Sequence, residues 1–240
     1  MWGGFARTMK ITLIGYGAMG KLIGTLAEEK GHIVGAVIDE ADAGASSSEL
    51  AERLGGSDVA IDFSIADAVR RNVEACMLAS VPLVEGTTGW NAQREEIERI
   101  VRDANGAFVF GANFSIGVNL FYRVADFAAE LFAKFPEYEA FIEEQHHSRK
   151  KDAPSGTALK LKEIISRHIA KDFSVSSTRA GNIPGAHRVG FDGLADQIVL
   201  EHNARSREGF AAGAILAAEW IVGKKGFYEF TDVLEALTEK

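Results

Sequence analysis

Cysteine is almost absent from this chain. Its 240 residues contain one, Cys76, so no intrachain disulfide can form and no cysteine-based metal site exists. That scarcity suits a reducing cytoplasm, where the protein is expected to work. Cys76 lies in an apolar helical pattern with Val73, Ala75, Met77 and Leu78, so a buried small hydrophobe is expected rather than a nucleophile. A thiol-dependent aldehyde dehydrogenase is thereby disfavoured. Basic excess is also missing: 26 Lys and Arg face 34 Asp and Glu, a formal net charge of −8. Nucleic acid and anionic membrane both reward positive charge, so neither is expected as a partner. No apolar run approaches membrane-spanning length. The first eight residues, Met1 to Thr8, lack the apolar core of a signal peptide and read as a short extension ahead of Met9.

What is plentiful is apolar residues, 47% of the chain, enough for one large domain or two modest ones. Short apolar runs at Lys10–Ile14, Ile33–Ile38, Val59–Phe63, Pro82–Glu85 and Ala107–Phe110 alternate with helical patterns. That alternation predicts a parallel sheet with helices on both faces. The 41–57 stretch reads as a loop with one short helix. The pattern changes near Gly117. A long amphipathic helix over 118–134 is followed by strands at 139–145, 174–179, 188–191 and 197–202, with one helix over 157–169. Strands with so little helix between them predict a more open, antiparallel sheet. The tail returns to helix over 210–222 and 231–237.

The first chemistry lies at Gly15, Gly17 and Gly20, which follow a predicted strand and open a helix. That is the context of a dinucleotide-binding turn. Packing alone also explains three glycines in such a turn. Asp39 strengthens the cofactor reading, because it ends the second strand about twenty residues later, where an acid meets ribose hydroxyls. Glu40 follows it. An adenosine 2′-phosphate would meet two carboxylates there, so NADH is expected over NADPH. The loops Gly86–Gly89 and Gly111–Ser115 follow the fourth and fifth strands, where a doubly wound sheet binds ligands. Ordinary turn chemistry competes with that reading for either loop alone.

The second chemistry lies between Glu144 and Leu159. His146 and His147 precede Arg149, Lys150 and Lys151, and a Pro154-Ser155-Gly156-Thr157 turn opens a helix. Imidazole moves protons near neutral pH. Cations and free helix N–H groups attract carboxylates. Lys150 can supply a charge or a proton, and Ser155, Gly156 and Thr157 can offer backbone N–H groups, although simple helix capping accounts for them too. Adjacent residues of a strand face opposite ways, and the chain has no HxxxH spacing, so no metal site is expected. A small dianionic substrate fits the whole run.

From Met9 onward the chain resembles the 4-hydroxy-tetrahydrodipicolinate reductase family, long called dihydrodipicolinate reductases. The segment from His146-His147 through Lys150 to Asp152-Ala153-Pro154-Ser155-Gly156-Thr157-Ala158-Leu159 carries most of the likeness. Gly86-Thr87-Thr88-Gly89, Asn113-Phe114-Ser115-Ile116-Gly117-Val118-Asn119, Pro184-Gly185-Ala186-His187 and Arg205-Ser206-Arg207 carry the rest. The resemblance implies an α/β fold: a Rossmann-like parallel-sheet domain (9–116 and 208–240) plus a second α+β domain with a mixed or antiparallel sheet (117–207). The second domain would bind substrate and build a homotetramer. The resemblance further implies His146 as catalytic acid/base and Lys150 as second proton donor. It makes His147, Gly156 and Thr157, joined by the neighbouring Ser155, the substrate contacts. Cofactor contacts would be Gly15, Tyr16, Gly17, Ala18, Met19, Gly20, Asp39, Gly86, Thr87, Thr88, Gly111, Ala112, Asn113 and Phe114. The implied reaction is hydride transfer from NADH or NADPH to a cyclic imine dicarboxylate on the diaminopimelate route to lysine.

Departures from the family bear on the cofactor. The glycine loop is one residue shorter than in many members, the 41–57 region is abbreviated, and Glu40 replaces a frequent Arg. Two other readings remain distinct: another oxidoreductase of amino-acid precursors, and a non-catalytic NAD sensor. A sensor needs the glycine turn but not His146 and Lys150.

Overall fold

The computed structural model describes residues 7–238, so most of the extension expected ahead of Met9 lies outside the described residues. Contacts divide the chain into two compact units, one running to Ser115 and resuming at Glu208, the other spanning Ile116–Arg207.

The first unit begins with β1 (Lys10–Ile14), α1 (Ala18–Glu29), β2 (Ile33–Ile38) and α2 (Ser47–Leu54). It continues with β3 (Val59–Asp62), α3 (Ala66–Leu78), β4 (Leu83–Glu85), α4 (Arg94–Asp103) and β5 (Ala107–Phe110). The second unit holds α5 (Ile116–Phe132), β6 (Glu139–His146), α6 (Gly156–Ser166), β7 (Ser174–Arg179), β8 (Ala186–Asp192) and β9 (Gln197–Asn203). The chain then returns to the first unit as α7 (Glu208–Ile221), β10 (Gly226–Glu229) and α8 (Phe230–Thr238).

The first sheet has the order β10-β5-β4-β3-β1-β2, and every pair in it is parallel. The central strands β3 and β4 are buried along their whole length, which explains the apolar residues that precede the acid at the end of each. Val69, Val73, Cys76, Ile97 and Val101 from α3 and α4 pack with Ile14, Leu83 and Phe108. Helix α7, rich in buried alanines, lies against β3, β4 and β5. Cys76 is fully buried, and burial pushes its thiol pKa well above the ordinary value, as expected for a packing residue. Strand β10 was absent from the sequence reading. Its four residues lie at the sheet edge against β5, where Phe227 stacks on Phe108 with ring centres 5.0 Å apart.

The second sheet has the order β7-β6-β8-β9. β6–β8 and β8–β9 are antiparallel, but β6–β7 is parallel. Of the mixed or antiparallel sheet expected, the mixed form is the one observed. Helix α6 supplies the crossover that a parallel pair needs. Phe121, Ala125 and Ala129 of α5 and Leu161 and Ile165 of α6 bury one sheet face, meeting Ala140, Ile142, Val189 and Phe191.

The tail is structural, because Phe230 is 2% exposed and packs on Phe114 with ring centres 4.7 Å apart. Phe230→Ala should cost about 3–5 kcal/mol. Chemical denaturation followed by the fluorescence of Trp90 and Trp220 checks this. An unchanged midpoint would mean that the tail does not stabilise the first unit.

Candidate active site

In the first unit, the turn after β1 leads directly into α1. Gly15 has φ +82°, and a Cβ on Gly20 would lie 2.1 Å from the Gly15 carbonyl oxygen, so the turn closes only with glycine at both places. Gly17 is the N-cap of α1 and makes no side-chain cap. Nothing lies within 4 Å of where its Cβ would be. The first N–H groups of α1 are thus approachable by an anion, as a pyrophosphate requires. Gly15, Tyr16, Gly17 and Asp39 line one crevice of about 810 Å³. A second recess, about 480 Å³, brings Gly17, Ala18 and Met19 beside Gly86, Thr87 and Thr88. The donor set and the open cradle fit a dinucleotide.

Asp39 also accepts a hydrogen bond from the Ala41 N–H at 3.0 Å, so it shapes its own turn. Two cations near it are engaged elsewhere. Arg53 pairs with Asp42, and Arg71 donates to the carbonyls of Asp42, Ala43 and Ala45. In the Gly111–Phe114 loop, the Asn113 side chain accepts the Ser115 N–H at 2.8 Å. The Phe114 ring is buried against Phe63 and Phe230, which leaves only its main chain for a ligand.

In the second unit, β6 alternates buried residues with mostly half-buried ones and puts Glu144 and His146 on one face, both buried. Glu144 Oε2 lies against His146 Nδ1. Glu144 Oε1 accepts from Arg179 of β7 at 2.6 Å and from the Ser155 N–H at 3.2 Å. His187 of β8 sits directly opposite Glu144 in register. Its ring packs edge-on to His146, centres 5.1 Å apart, and its Nε2 meets Ser155 Oγ at 3.1 Å. Ser155 is the N-cap of α6, accepting from the Ala158 N–H at 3.3 Å. A Cβ on Gly156 would meet nothing within 4 Å, so the first turn of α6 is open to a ligand. Lys150 Nζ is 2.9 Å from Asp152, and the Thr157 hydroxyl is hydrogen-bonded to Tyr122 of α5. His147 lies just beyond the end of β6, half-buried.

The electrostatics follow from these contacts. Burial pushes the Glu144 carboxyl upward, but hydrogen bonds from Arg179 and Ser177 and the charge of His146 outweigh it and hold it down at about 2. Burial lowers His146. Glu144 opposes that shift, while Lys150 and Arg179 reinforce it, so the imidazole stays below its ordinary value. Burial and the His146 charge bring His187 to about 4. With Nδ1 turned to Glu144, His146 keeps Nε2 for a substrate, and Gly185 approaches that nitrogen closely enough to exclude a larger residue.

Sequence reasoning therefore found His146, Lys150, Ser155, Gly156 and Thr157 in one neighbourhood but assigned no role to Glu144, Arg179 or His187. Glu144 was detectable from the i, i+2 alternation with His146. Arg179 and His187 needed strand register, which the sequence does not display. Glu144, His146 and His187 bring potential ligand atoms within 4.8 Å of one another, a grouping the absent HxxxH spacing did not anticipate. A metal ion there would compete with the Arg179 guanidinium for Glu144.

Comparison with known proteins identifies the family. The family described as "Dihydrodipicolinate reductase, N-terminus" matches residues 9–114, and "Dihydrodipicolinate reductase, C-terminus" matches residues 117–234. The 4-hydroxy-tetrahydrodipicolinate reductase of Christiangramia forsetii is 34% identical over 241 residues, covering 95% of this chain and 99% of that one. The protein of the same name from Archaeoglobus fulgidus is 36% identical over 253 residues, covering 91% and 96%. Among solved structures, the dipicolinate-bound dihydrodipicolinate reductase from Paenisporosarcina sp. TG-14 shares the fold with a TM-score of 0.74 at 20% identity, covering 94% and 99%. Two family halves in order over nearly the whole chain, and relatives above 30% identity along almost their full length, place this chain in the dihydrodipicolinate reductase family.

Proposed function

We infer that this enzyme reduces 4-hydroxy-tetrahydrodipicolinate to tetrahydrodipicolinate with a reduced nicotinamide dinucleotide, on the diaminopimelate route to lysine. The observation that carries the reading is the pairing of His146 with a buried carboxylate, beside the open, Ser155-capped start of α6. The dinucleotide supplies a hydride when bound. The first unit holds it, through Gly15 to Gly20, Asp39, Gly86 to Thr88 and the Gly111–Phe114 main chain. The second unit binds the dicarboxylate, through Lys150 and His147 and the N–H groups of Gly156 and Thr157. No resident metal is required, since cations and helix N–H groups suffice for two carboxylates.

Water leaves the 4-hydroxy compound first, giving an unsaturated cyclic imine. Conjugate hydride addition to that ring then leaves negative charge that a proton must quench. His146 Nε2 is the donor we assign, with Lys150 as the second. In the free protein His146 sits below its ordinary value, so the imidazole is largely neutral at pH 7. A bound dianion favours the charged form and draws a proton onto it. The acid is therefore loaded by the substrate it serves.

The exposed Ile198 and Val199 of edge strand β9 support assembly with further copies of the chain, and we propose a homotetramer acting in the cytoplasm.

The defining assay couples fresh 4-hydroxy-tetrahydrodipicolinate to dinucleotide oxidation, with pyridine-2,6-dicarboxylate as competitor. No turnover with either dinucleotide would reject the reading. His146→Gln should lower kcat by about 10²–10⁴-fold while NADH affinity changes less than about twofold. Equal losses in both would remove the proton-transfer role. Binding of pyridine-2,6-dicarboxylate should take up protons at neutral pH, read by calorimetry in buffers of different ionisation enthalpy. His146→Gln should abolish that uptake. Because the free enzyme loses its proton as pH rises through the His146 value, kcat/KM should fall in the same direction. Steady-state kinetics should favour NADH over NADPH, given Asp39, Glu40 and the engagement of Arg53 and Arg71. A clear NADPH preference would overturn that assignment.

A further inference from the structure

Beneath the recess formed by Gly17 and Thr87 lie two acids that the reaction does not use. Asp62 and Glu85 end the adjacent strands β3 and β4 and stand opposite each other in register. Both are completely buried. Asp62 accepts the Ser64 N–H at 2.8 Å and the Asn72 amide at 2.7 Å. Glu85 Oε1 accepts the Thr87 N–H at 2.7 Å. Glu85 Oε2 has no donor among the described residues, and the Glu85 and Asp62 carboxyls interact directly. Thr87 is held from the other side as well, since the Trp90 indole N–H donates to its carbonyl at 2.8 Å. Its hydroxyl accepts the Ser64 N–H at 3.0 Å, which ties the two loops together.

We propose that Asp62 and Glu85 share one proton, carried on Glu85 Oε2 and donated to Asp62, and that this pair is the positioning device for the Ser64 and Thr87 loops. Its consequence for the cofactor rests on assigning that recess to the dinucleotide. A proton on Oε2 gives the unsatisfied oxygen its partner and removes one of two buried like charges. None of the groups that bond the pair directly is a cation. From α3, Cys76 faces it as a neutral thiol, and Arg71 reaches it only through the far side of Asn72. The flanking strands present Ile14 and Phe110 in register. Burial raises both carboxyls, and Asp62 raises Glu85 further. Loss of the proton sets two carboxylates against each other in the core, and they can separate only by moving Ser64 or Thr87. A folded value above the unfolded one means that the native loop arrangement is favoured below it and weakened as pH rises through it.

The test uses the full-length enzyme. Infrared spectroscopy at neutral pH should show a protonated-carboxyl C=O band that Glu85→Gln removes. By fluorescence titration, NADH should bind wild type and Glu85→Gln alike near neutral pH, because an amide also donates to Asp62. As pH rises, wild type should lose about tenfold in affinity while Glu85→Gln holds its own. The band on wild type alone decides the shared proton, even should the variant fold poorly. A missing band, or parallel pH dependence in the two proteins, overturns the proposal. A band present with neither dinucleotide bound by either protein would keep the shared proton and overturn the cofactor assignment instead.

Discussion

The buried carboxylate of Glu144 is the interaction on which the second unit's site depends. One oxygen faces His146, and the other holds Arg179 and the backbone of Ser155. A single side chain on β6 thereby fixes the orientation of the imidazole, the position of the guanidinium and the entry into α6. Ser155 passes the constraint on, because its hydroxyl both caps α6 and meets His187, which packs on His146. The loop closes on itself. Removing one member of such a network leaves buried charge without a partner, which costs more than the pair contributes.

The two units answer the same electrostatic problem in opposite ways. In the second, Arg179 reaches Glu144 directly, and the carboxyl stays ionised down to about pH 2. In the first, the bonds to Asp62 and Glu85 come from backbone N–H groups, an amide and hydroxyls, none of them charged, and both carboxyls are pushed upward. A cation at bonding distance decides which outcome prevails. The ionised acid would serve the site proposed to handle protons. The proposed proton-sharing pair, which carries a single charge, would serve loops that keep their shape.

Much of this was legible before the structure. Strand and helix alternation, the glycine turn and the capped start of α6 are local signals, carried by residues close in sequence. What stayed hidden depended on register. Arg179 and His187 reach Glu144 only because β7 and β8 flank β6, and which of those pairs is parallel is not written in the sequence. Glu85 lay inside a predicted apolar strand, where a carboxyl looks like an exposed strand end. Its partner Asp62 is far away in sequence, and only the β3–β4 pairing joins them. Strand β10 escaped because four residues at a sheet edge carry too little periodicity to register.

An acidic protein that binds a dianion presents an apparent conflict, which distance resolves. Exposed charges more than about 10 Å away are largely screened at physiological salt, so the formal charge of −8 says little about the ligand's surroundings. The local field comes from Lys150, Arg179 and the first turn of α6, and the one carboxylate in the centre of the knot is already neutralised by Arg179. Asp152, exposed beside Lys150, is the remaining local acid. On the proposed binding mode, a substrate carboxylate that took the Lys150 ammonium would replace Asp152 as its partner. In that mode the gain would come from the first N–H groups of α6, beside the open space at Gly156.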